Sequence, residues 1–376
     1  MISLPQWPIS TARERELLDD ILSSPQWGGF HPIVGQFEAA FAKYQHAAHG
    51  VSAANGTVTL EMMLAAAGIR EGDEVIVPAI SFISTASAVS KVGGTPVFVD
   101  VEPYSFNMDP EAARAAISPR TKAILVVHFG GPLAEMDELA SLAAEKGLLL
   151  LEDAAHAHGA EWNGRRAGSF GLASSFSFQN GKVMTAGEGG ITLTSDAAFA
   201  ERMRSYANQG RRPGHSFFHH FELGTNYRLS ALQAAVLTAQ LERLDAQIEL
   251  REANWKIFRA GVEEIAGIEW QRIPRQVNRH PWYLILGRVN AAKTGESRDE
   301  FCRRLTQAGI QATPFYPHAL YSNPMYTEGL PHRALPCPNA EACVKDAFWL
   351  SFRVLMGDPD TTIRIARQFS LSVPAR

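Results

Sequence analysis

Cysteine is scarce in this chain. Cys302, Cys337 and Cys343 are the only three among 376 residues. The count is odd, and neither a close cysteine pair nor a zinc-type histidine spacing accompanies them, which argues against a disulfide scaffold or a structural metal site and leaves three reduced thiols. Long apolar runs are also missing, so nothing approaches the ~20 residues that a bilayer-crossing helix needs. The stretch Met1 to Ser10 has neither the basic leader nor the apolar core of a secretory signal, and a cytoplasmic location is the expectation. No excess of positive charge exists: 35 Lys and Arg stand against 39 Asp and Glu, for a net charge of −4. Without a basic field to collect nucleic acid or an anionic membrane, a small-molecule partner is the better expectation. Internal repeats and low-complexity segments are absent as well. What is present is 46% hydrophobic and 20% charged residues, ordinary globular material long enough for one large domain and a smaller one.

Between Glu74 and Ser195, short β-rich runs alternate with helical stretches: EVIVPA, TPVFVDV, AILVVHF, LLLLEDAA, SSFSF and GITLTS. This alternation predicts an α/β fold with a mostly parallel sheet covered by helices on both faces. The unbroken leucines from Leu148 to Leu151 suit a central strand buried on both sides. Ser230 followed by Gln233 reads as a capping box, and Leu237, Leu241 and Leu244 continue it as one apolar stripe. With no Gly or Pro before Gly261, this helical stretch, divided near Asp245, connects a large domain (1–245) to a smaller α+β C-terminal domain (246–376). In the latter, strands are expected around Ile268 to Ile273 and Trp282 to Val289, with helices from Arg298 to Ala308 and after Pro359.

Four places carry candidate chemistry. Asp153 ends the leucine strand, and in open α/β sheets ligands sit beyond the carboxyl ends of strands. Because Glu152 and Asp153 alternate, only one of them faces the crevice. A carboxylate there can stabilise a protonated ring nitrogen, hold a metal, or cap the next turn. Lys182 lies in FSFQNGKVMTAGEGG, after a buried strand and among Gly181, Gly187, Gly189 and Gly190; a desolvated amine in such a loop can attack a carbonyl. Asn55 and Gly56 precede an apolar helix, which puts Thr57 and Val58 at an N-terminus able to seat a phosphate. Phe82, after another strand end, could cover a planar ring or pack in the core. His215, His219 and His220 share a Gly/Pro-punctuated loop, where solvated histidines are commoner than metal ligands.

Taken in order, NGTVTLE, VPAISFIS, VVHFGGPLAEMD, LEDAAHAHGA, FSFQNGKVMTAGEGG and GTNYRLSALQAA resemble the DegT/StrS family of pyridoxal 5′-phosphate (PLP) dependent aminotransferases, from about Trp27 to beyond Trp349. The resemblance implies fold type I of the PLP enzymes and a homodimer with active sites at the subunit interface. It implies that Lys182 holds PLP as a Schiff base, that Asp153 partners the pyridinium nitrogen, and that His156 lies near the phenolic oxygen. Phe82 would stack on the ring, Thr57, Val58 and Ser177 would cradle the phosphate, and Asn226 would reach it from the other subunit. Some relatives carry histidine in place of the lysine and perform dehydration; the lysine present here favours transamination. The stretch YPHALYSNP puts Tyr321 where many sugar aminotransferases have histidine, which makes Tyr321 a substrate candidate of this chain's own. Arg211 and Arg212, on the histidine loop, are expected to meet an anionic group near a neighbouring subunit's substrate mouth. FSFQNGKVMTAGEGG is similar to the branch with inosose aminotransferases and 3-amino-5-hydroxybenzoate synthases. That branch implies glutamate or glutamine as donor and a keto-sugar, nucleotide-linked or not, or a keto-cyclitol as acceptor. An aromatising dehydratase on the same lysine and a non-catalytic PLP-binding regulator are the alternatives.

Overall fold

The computed structural model describes residues 3–373. A strand covered on both faces needs apolar side chains at every position, and the runs from Glu74 onward supply them: Val75, Ile76 and Val77 have no exposed surface, nor do Ile124, Leu125 and Val126. Each such side chain contributes roughly 1.5–3 kcal/mol on burial. The chain forms β1 (His49–Ala53), β2 (Glu74–Pro78), β3 (Thr95–Val99), β4 (Thr121–Val127), β5 (Leu149–Asp153), β6 (Glu161–Trp162), β7 (Arg165–Arg166), β8 (Ala173–Ser177) and β9 (Gly190–Thr194). C-terminal to these come β10 (Ile268–Trp270), β11 (Val277–Arg279), β12 (Leu284–Val289), β13 (Ala312–Pro314), β14 (Arg333–Ala334) and β15 (Ala347–Ser351).

The main sheet has the order β1-β9-β8-β5-β4-β2-β3-β14. Pairing is parallel from β8 through β14, and only β9 runs against its neighbours β8 and β1. The expectation of a mostly parallel α/β sheet therefore holds. One apolar cluster covers each face of the sheet. After β2 the chain steps outward to β3, then returns to the other side of β2 for β4, β5 and β8. The order thus reverses between β2 and β4, which opens a crevice beyond the carboxyl ends of those strands.

The Ser230 capping box forms as expected, and the helix Ala231–Glu242 ends at Arg243, whose backbone leaves helical geometry (φ −113°, ψ 1°) before a second helix, Leu244–Val262, begins. Beyond it, β10, β12, β15 and β13 form a four-stranded antiparallel sheet with its own apolar cluster around Phe258, Trp270, Phe301 and Phe369. Helices Arg298–Gln307 and Pro359–Leu371 belong to this unit. Two short pieces of the C-terminal half return to the N-terminal half: β14 extends the main sheet beside β3, and β11 pairs with β6. No helix among the described residues is long and apolar enough to cross a membrane.

Candidate active site

Parallel strands deliver their carboxyl ends to one edge of the sheet, and there a cavity of about 680 Å³ opens. Its walls include Ser81 and Phe82 after β2, Val127 at the end of β4, Asp153 at the end of β5 and Ser177 at the end of β8, together with Lys182. One corner is the N-terminus of the helix Gly56–Ala66, which presses against β8. Glycine is required at its first position, since a Cβ on Gly56 would lie 2.6 Å from Ser177 Cβ. Asn55 caps this helix by accepting from the Val58 amide at 3.0 Å. The Gly56 and Thr57 amides precede the first helical bond and, with the helix dipole, form a seat for an anion. The Thr57 hydroxyl, 2.7 Å from that of Ser84, and Ser177 complete this corner. Val58 lines the cavity as well, but its amide is already spent on the cap.

The alternation at the end of β5 is decided by hydrogen bonds. Glu152 turns away from the cavity, where its carboxylate accepts the amides of Gly168, Phe170 and Gly171 and lies 3.0 Å from His128 Nε2. Asp153 faces the cavity. It accepts from the Thr85 hydroxyl at 2.7 Å and from the Ala155 amide at 3.2 Å, so the turn-capping role is real but uses only part of the group. Burial pushes the Asp153 carboxyl above the usual carboxylate range, against the pull of the Thr85 and Ala155 bonds and the nearby Lys182 charge. An acid raised by desolvation is poised to ionise when a cation enters beside it.

Lys182 sits in a loop that closes on itself: the Phe178 amide donates to Gly189 O at 2.8 Å and the Ala186 amide to Phe178 O at 3.2 Å. Gly187 (φ 80°) and Gly189 (φ 155°) take backbone angles that favour glycine. Val183 and Met184, fully buried, anchor the loop to the core. The Lys182 side chain is thereby held in the cavity, its Nζ 4.5 Å over the ring of Tyr283. Beside it, His156 Nδ1 accepts from the Gly130 amide at 3.2 Å. Burial, with the Lys182 charge second, holds the His156 imidazole well below its ordinary value and therefore neutral. A neutral ring that accepts at Nδ1 carries its proton on Nε2, which makes His156 a donor there.

Seven sequence candidates thus meet in one cavity: Thr57, Val58, Phe82, Asp153, His156, Ser177 and Lys182. Phe82 is 57% exposed, which excludes the core-packing option and leaves its face free at the mouth. Four candidates lie elsewhere. Tyr321 is outside the cavity, packed against Phe98, with its hydroxyl donated to Glu341 at 3.0 Å. The aromatic residue of that segment that does line the cavity is Tyr316. Arg211 and Arg212 line a separate pocket of about 400 Å³ with Phe30, Arg204, His215 and Arg228. Asn226 is exposed and bridges Asn208 at the base of the same loop. Among the described residues no cluster able to hold a metal occurs; His220 Nδ1 instead meets Gln209 O at 2.7 Å.

Sequence reasoning missed Tyr283, Tyr316 and Trp349, which form the opposite wall of the cavity. Tyr283 lies 4.5 Å from the His156 ring, and Tyr316 and Trp349 meet edge to face at 5.6 Å. No local signal marks them: each reads as an ordinary aromatic of a short strand or turn. Gln179, two residues after Ser177, and Glu188, beside the Lys182 loop glycines, also line the mouth and lie within a stretch the motifs had already singled out.

Comparison with known proteins extends these observations. A crystal structure of 3-amino-5-hydroxybenzoic acid (AHBA) synthase superposes with a TM-score of 0.92 at 36% identity, covering 98% of both chains, and the fold is that of the PLP-dependent aminotransferases. The DegT/DnrJ/EryC1/StrS aminotransferase family model matches residues 8–369; the chain belongs to this family and is a PLP-dependent aminotransferase. Its similar relatives include the 3-amino-5-hydroxybenzoate synthase of Amycolatopsis mediterranei (strain S699), 40% identical over 95% of this chain and 94% of the relative. Another is the L-glutamine:2-deoxy-scyllo-inosose aminotransferase of Streptomyces lividus, 36% identical over 97% of this chain and 93% of the relative.

Proposed function

We propose that the cavity holds PLP and that the protein transfers an amino group from glutamine or glutamate to a ring ketone of the cyclitol kind, in two half-reactions. The observation that carries this reading is the meeting of a nucleophilic amine, a buried carboxylate, a neutral imidazole donor and an anion seat around one cavity. These groups fit a flat pyridine bearing an aldehyde, a phenolic oxygen and a phosphate. When bound, PLP supplies a carbonyl for the donor amine and a ring that takes up the electrons of a breaking Cα–H bond.

The chain's own groups have distinct tasks. The amides of Gly56 and Thr57, with the hydroxyls of Thr57 and Ser177, would hold the phosphate. Asp153, already raised by burial, would ionise beside the protonated ring nitrogen and keep that proton in place. His156 would donate from Nε2 to the phenolic oxygen, and Phe82 would cover the ring at the mouth. Lys182 Nζ, as a free amine, would take a proton from one carbon and give it up to another.

A second copy of the chain completes the reading as a homodimer, with Asn226 reaching the phosphate and Arg211 and Arg212 near the donor carboxylate. The charged side chains lining the cavity within one chain are Asp153, Lys182 and Glu188, beside His156. Among the described residues of one chain a nucleotide diphosphate would find no cation there beyond Lys182, and with Arg211 and Arg212 of the second copy assigned to the donor carboxylate, an uncharged ring is the acceptor this reading favours. The inosose aminotransferase among the relatives points the same way.

The test is spectral. Glutamine or glutamate should abolish the visible absorption of the PLP-loaded protein and release one equivalent of 2-oxo acid, and a cyclitol ketone should restore the absorption. No response to any amino donor would refute the proposal. The likeness to AHBA synthase favours a second reading, elimination with ring aromatisation, which would give a new aromatic absorbance from a non-aromatic ring without any donor. A non-catalytic PLP-binding regulator would retain the cofactor and show neither change.

A further inference from the structure

Tyr283 touches both Lys182 and His156, yet nothing above gives it a task. The backbone that delivers it is strained: Trp282 has φ 54°, a left-handed conformation that is costly for a bulky L-residue. Such a turn persists only where its surroundings over-determine it, and here they do. The Trp282 amide donates to His280 Nδ1 at 2.8 Å. Its indole stacks on the His280 ring at 3.9 Å and on Trp255 at 4.3 Å. Arg251, fully buried, donates from Nε to Pro281 O at 2.6 Å. The Leu284 amide bonds Gly130 O at 3.1 Å, and Gly130 is the residue whose own amide fixes His156. Gly131 leaves room for the turn, since a Cβ there would lie 2.9 Å from His280 Cε1. The whole assembly aims one aromatic face at one amine.

We infer that Tyr283 is a positioning residue for Lys182: its ring face holds Nζ as an ammonium while that group carries the proton between two carbons. The inference rests on the proposed role of Lys182. The proton leaves the donor carbon for Nζ, which becomes cationic, and then passes from Nζ to the neighbouring carbon, so no net proton or electron is gained. An aromatic face offers negative potential to an ammonium without itself accepting the proton, and therefore does not compete with the acceptor carbon. A carboxylate in the same place would compete.

Two variants separate the ring face from the hydroxyl: Tyr283→Phe keeps the face and Tyr283→Leu removes it. With α-deuterated glutamine in the donor half-reaction, Tyr283→Phe should stay within about twofold of the parent, whereas Tyr283→Leu should be slower on the order of tenfold, with a larger deuterium isotope effect. A second readout needs no turnover. In the full-length chain freed of cofactor, an amine-directed reagent should label Lys182 severalfold faster at neutral pH in Tyr283→Leu than in Tyr283→Phe, scored by peptide mass spectrometry. Should Tyr283→Leu fail to fold, Tyr283→Met takes its place with the same expectations. Equal losses in the Phe and Leu variants with an unchanged isotope effect and equal labelling would overturn the inference, as would a Leu variant that behaves like the parent. Lys182→Ala run in parallel keeps the two ideas apart: if it retains turnover, the Lys182 assignment falls; if it is inactive while Tyr283→Leu is normal, only the Tyr283 inference falls.

Discussion

The two walls of the cavity are built on different principles. The strand-end wall, from Asn55 to Lys182, presents groups that donate, accept or ionise, and three of them are fixed by hydrogen bonds to neighbours: Asp153 to Thr85, Thr57 to Ser84, His156 to Gly130. The opposite wall, Tyr283, Tyr316 and Trp349, is aromatic and is held by ring packing against Phe129, Phe315 and Phe352. One wall can anchor a charged cofactor and move protons. The other offers flat apolar faces, which suit the C–H faces of a ring substrate. The two walls come from different parts of the chain: the polar one from the ends of the main-sheet strands, the aromatic one from the four-stranded sheet and its connections.

The largest expected break of this contrast is on the polar side. Lys182→Ala should lower turnover by at least about a thousandfold with little change in melting temperature, because the role proposed for the amine is chemical and its removal leaves the Val183 and Met184 anchors intact. Asp153→Asn comes next, with a loss of about a hundredfold in the donor half-reaction. Its effect on stability has the opposite sign: burial raises the folded-state carboxyl above its unfolded value, so this group's contribution to stability falls as pH rises past the unfolded carboxylate range, and at neutral pH the cofactor-free Asn variant should melt higher than the parent. A cofactor-free Asn variant that melts lower would show that the Thr85 and Ala155 bonds outweigh desolvation.

Behind each wall stands a buried neutral histidine, which allows a matched comparison by pH. His158 lies among Phe41, Phe176 and Phe178 behind the strand ends, and His280 supports the Tyr283 turn. Burial pushes both down to about 3. Folded values below the unfolded value of about 6.5 mean that the unfolded chain binds protons first, so stability is complete above that pH and declines as pH falls from about 6.5 toward 3. Each histidine should account for at most about 2 kcal/mol of the loss at pH 5. His158→Phe and His280→Asn should each flatten the acid side of a denaturation-against-pH curve, and a curve unchanged in both would place the acid sensitivity elsewhere. The aromatic wall itself should show smaller, selective effects: Tyr316→Leu or Trp349→Leu should raise KM for the ring ketone by about tenfold while leaving the donor half-reaction within about twofold. The smallest effect is expected from Arg212→Ala, a severalfold rise in KM for an acidic donor with kcat nearly unchanged; the reverse pattern would remove this arginine from donor binding.

Legibility followed the same division. Asp153, Lys182 and the Thr57 corner stood out because a strand end, a glycine-bracketed loop and a helix cap each leave a mark within a few residues. The choice between Glu152 and Asp153 did not, since alternation shows that they diverge but not which one faces the crevice; the three amides around Glu152 decide it. Tyr321 was a candidate by its place in YPHALYSNP, yet the chain turns after Pro317 so that Tyr316 enters the cavity and Tyr321 meets Glu341 instead. Tyr283 and Trp349 reach the cavity that holds Lys182 from distant parts of the chain, and no local pattern encodes such a meeting.

Hydrophobic periodicity, caps and glycine positions belong to neighbouring residues and act over one turn or strand, so by themselves they determined the α/β class and the helix starting at Ser230, and they marked Asp153, Lys182 and the Thr57 corner as candidates whose roles only the family resemblance assigned. The order of strands, the side chain that wins a shared edge, and the strained turn at Trp282 depend on how distant surfaces fill the same space. Only the packed chain decided those, because close packing is a property of volumes that meet and not of residues that follow one another.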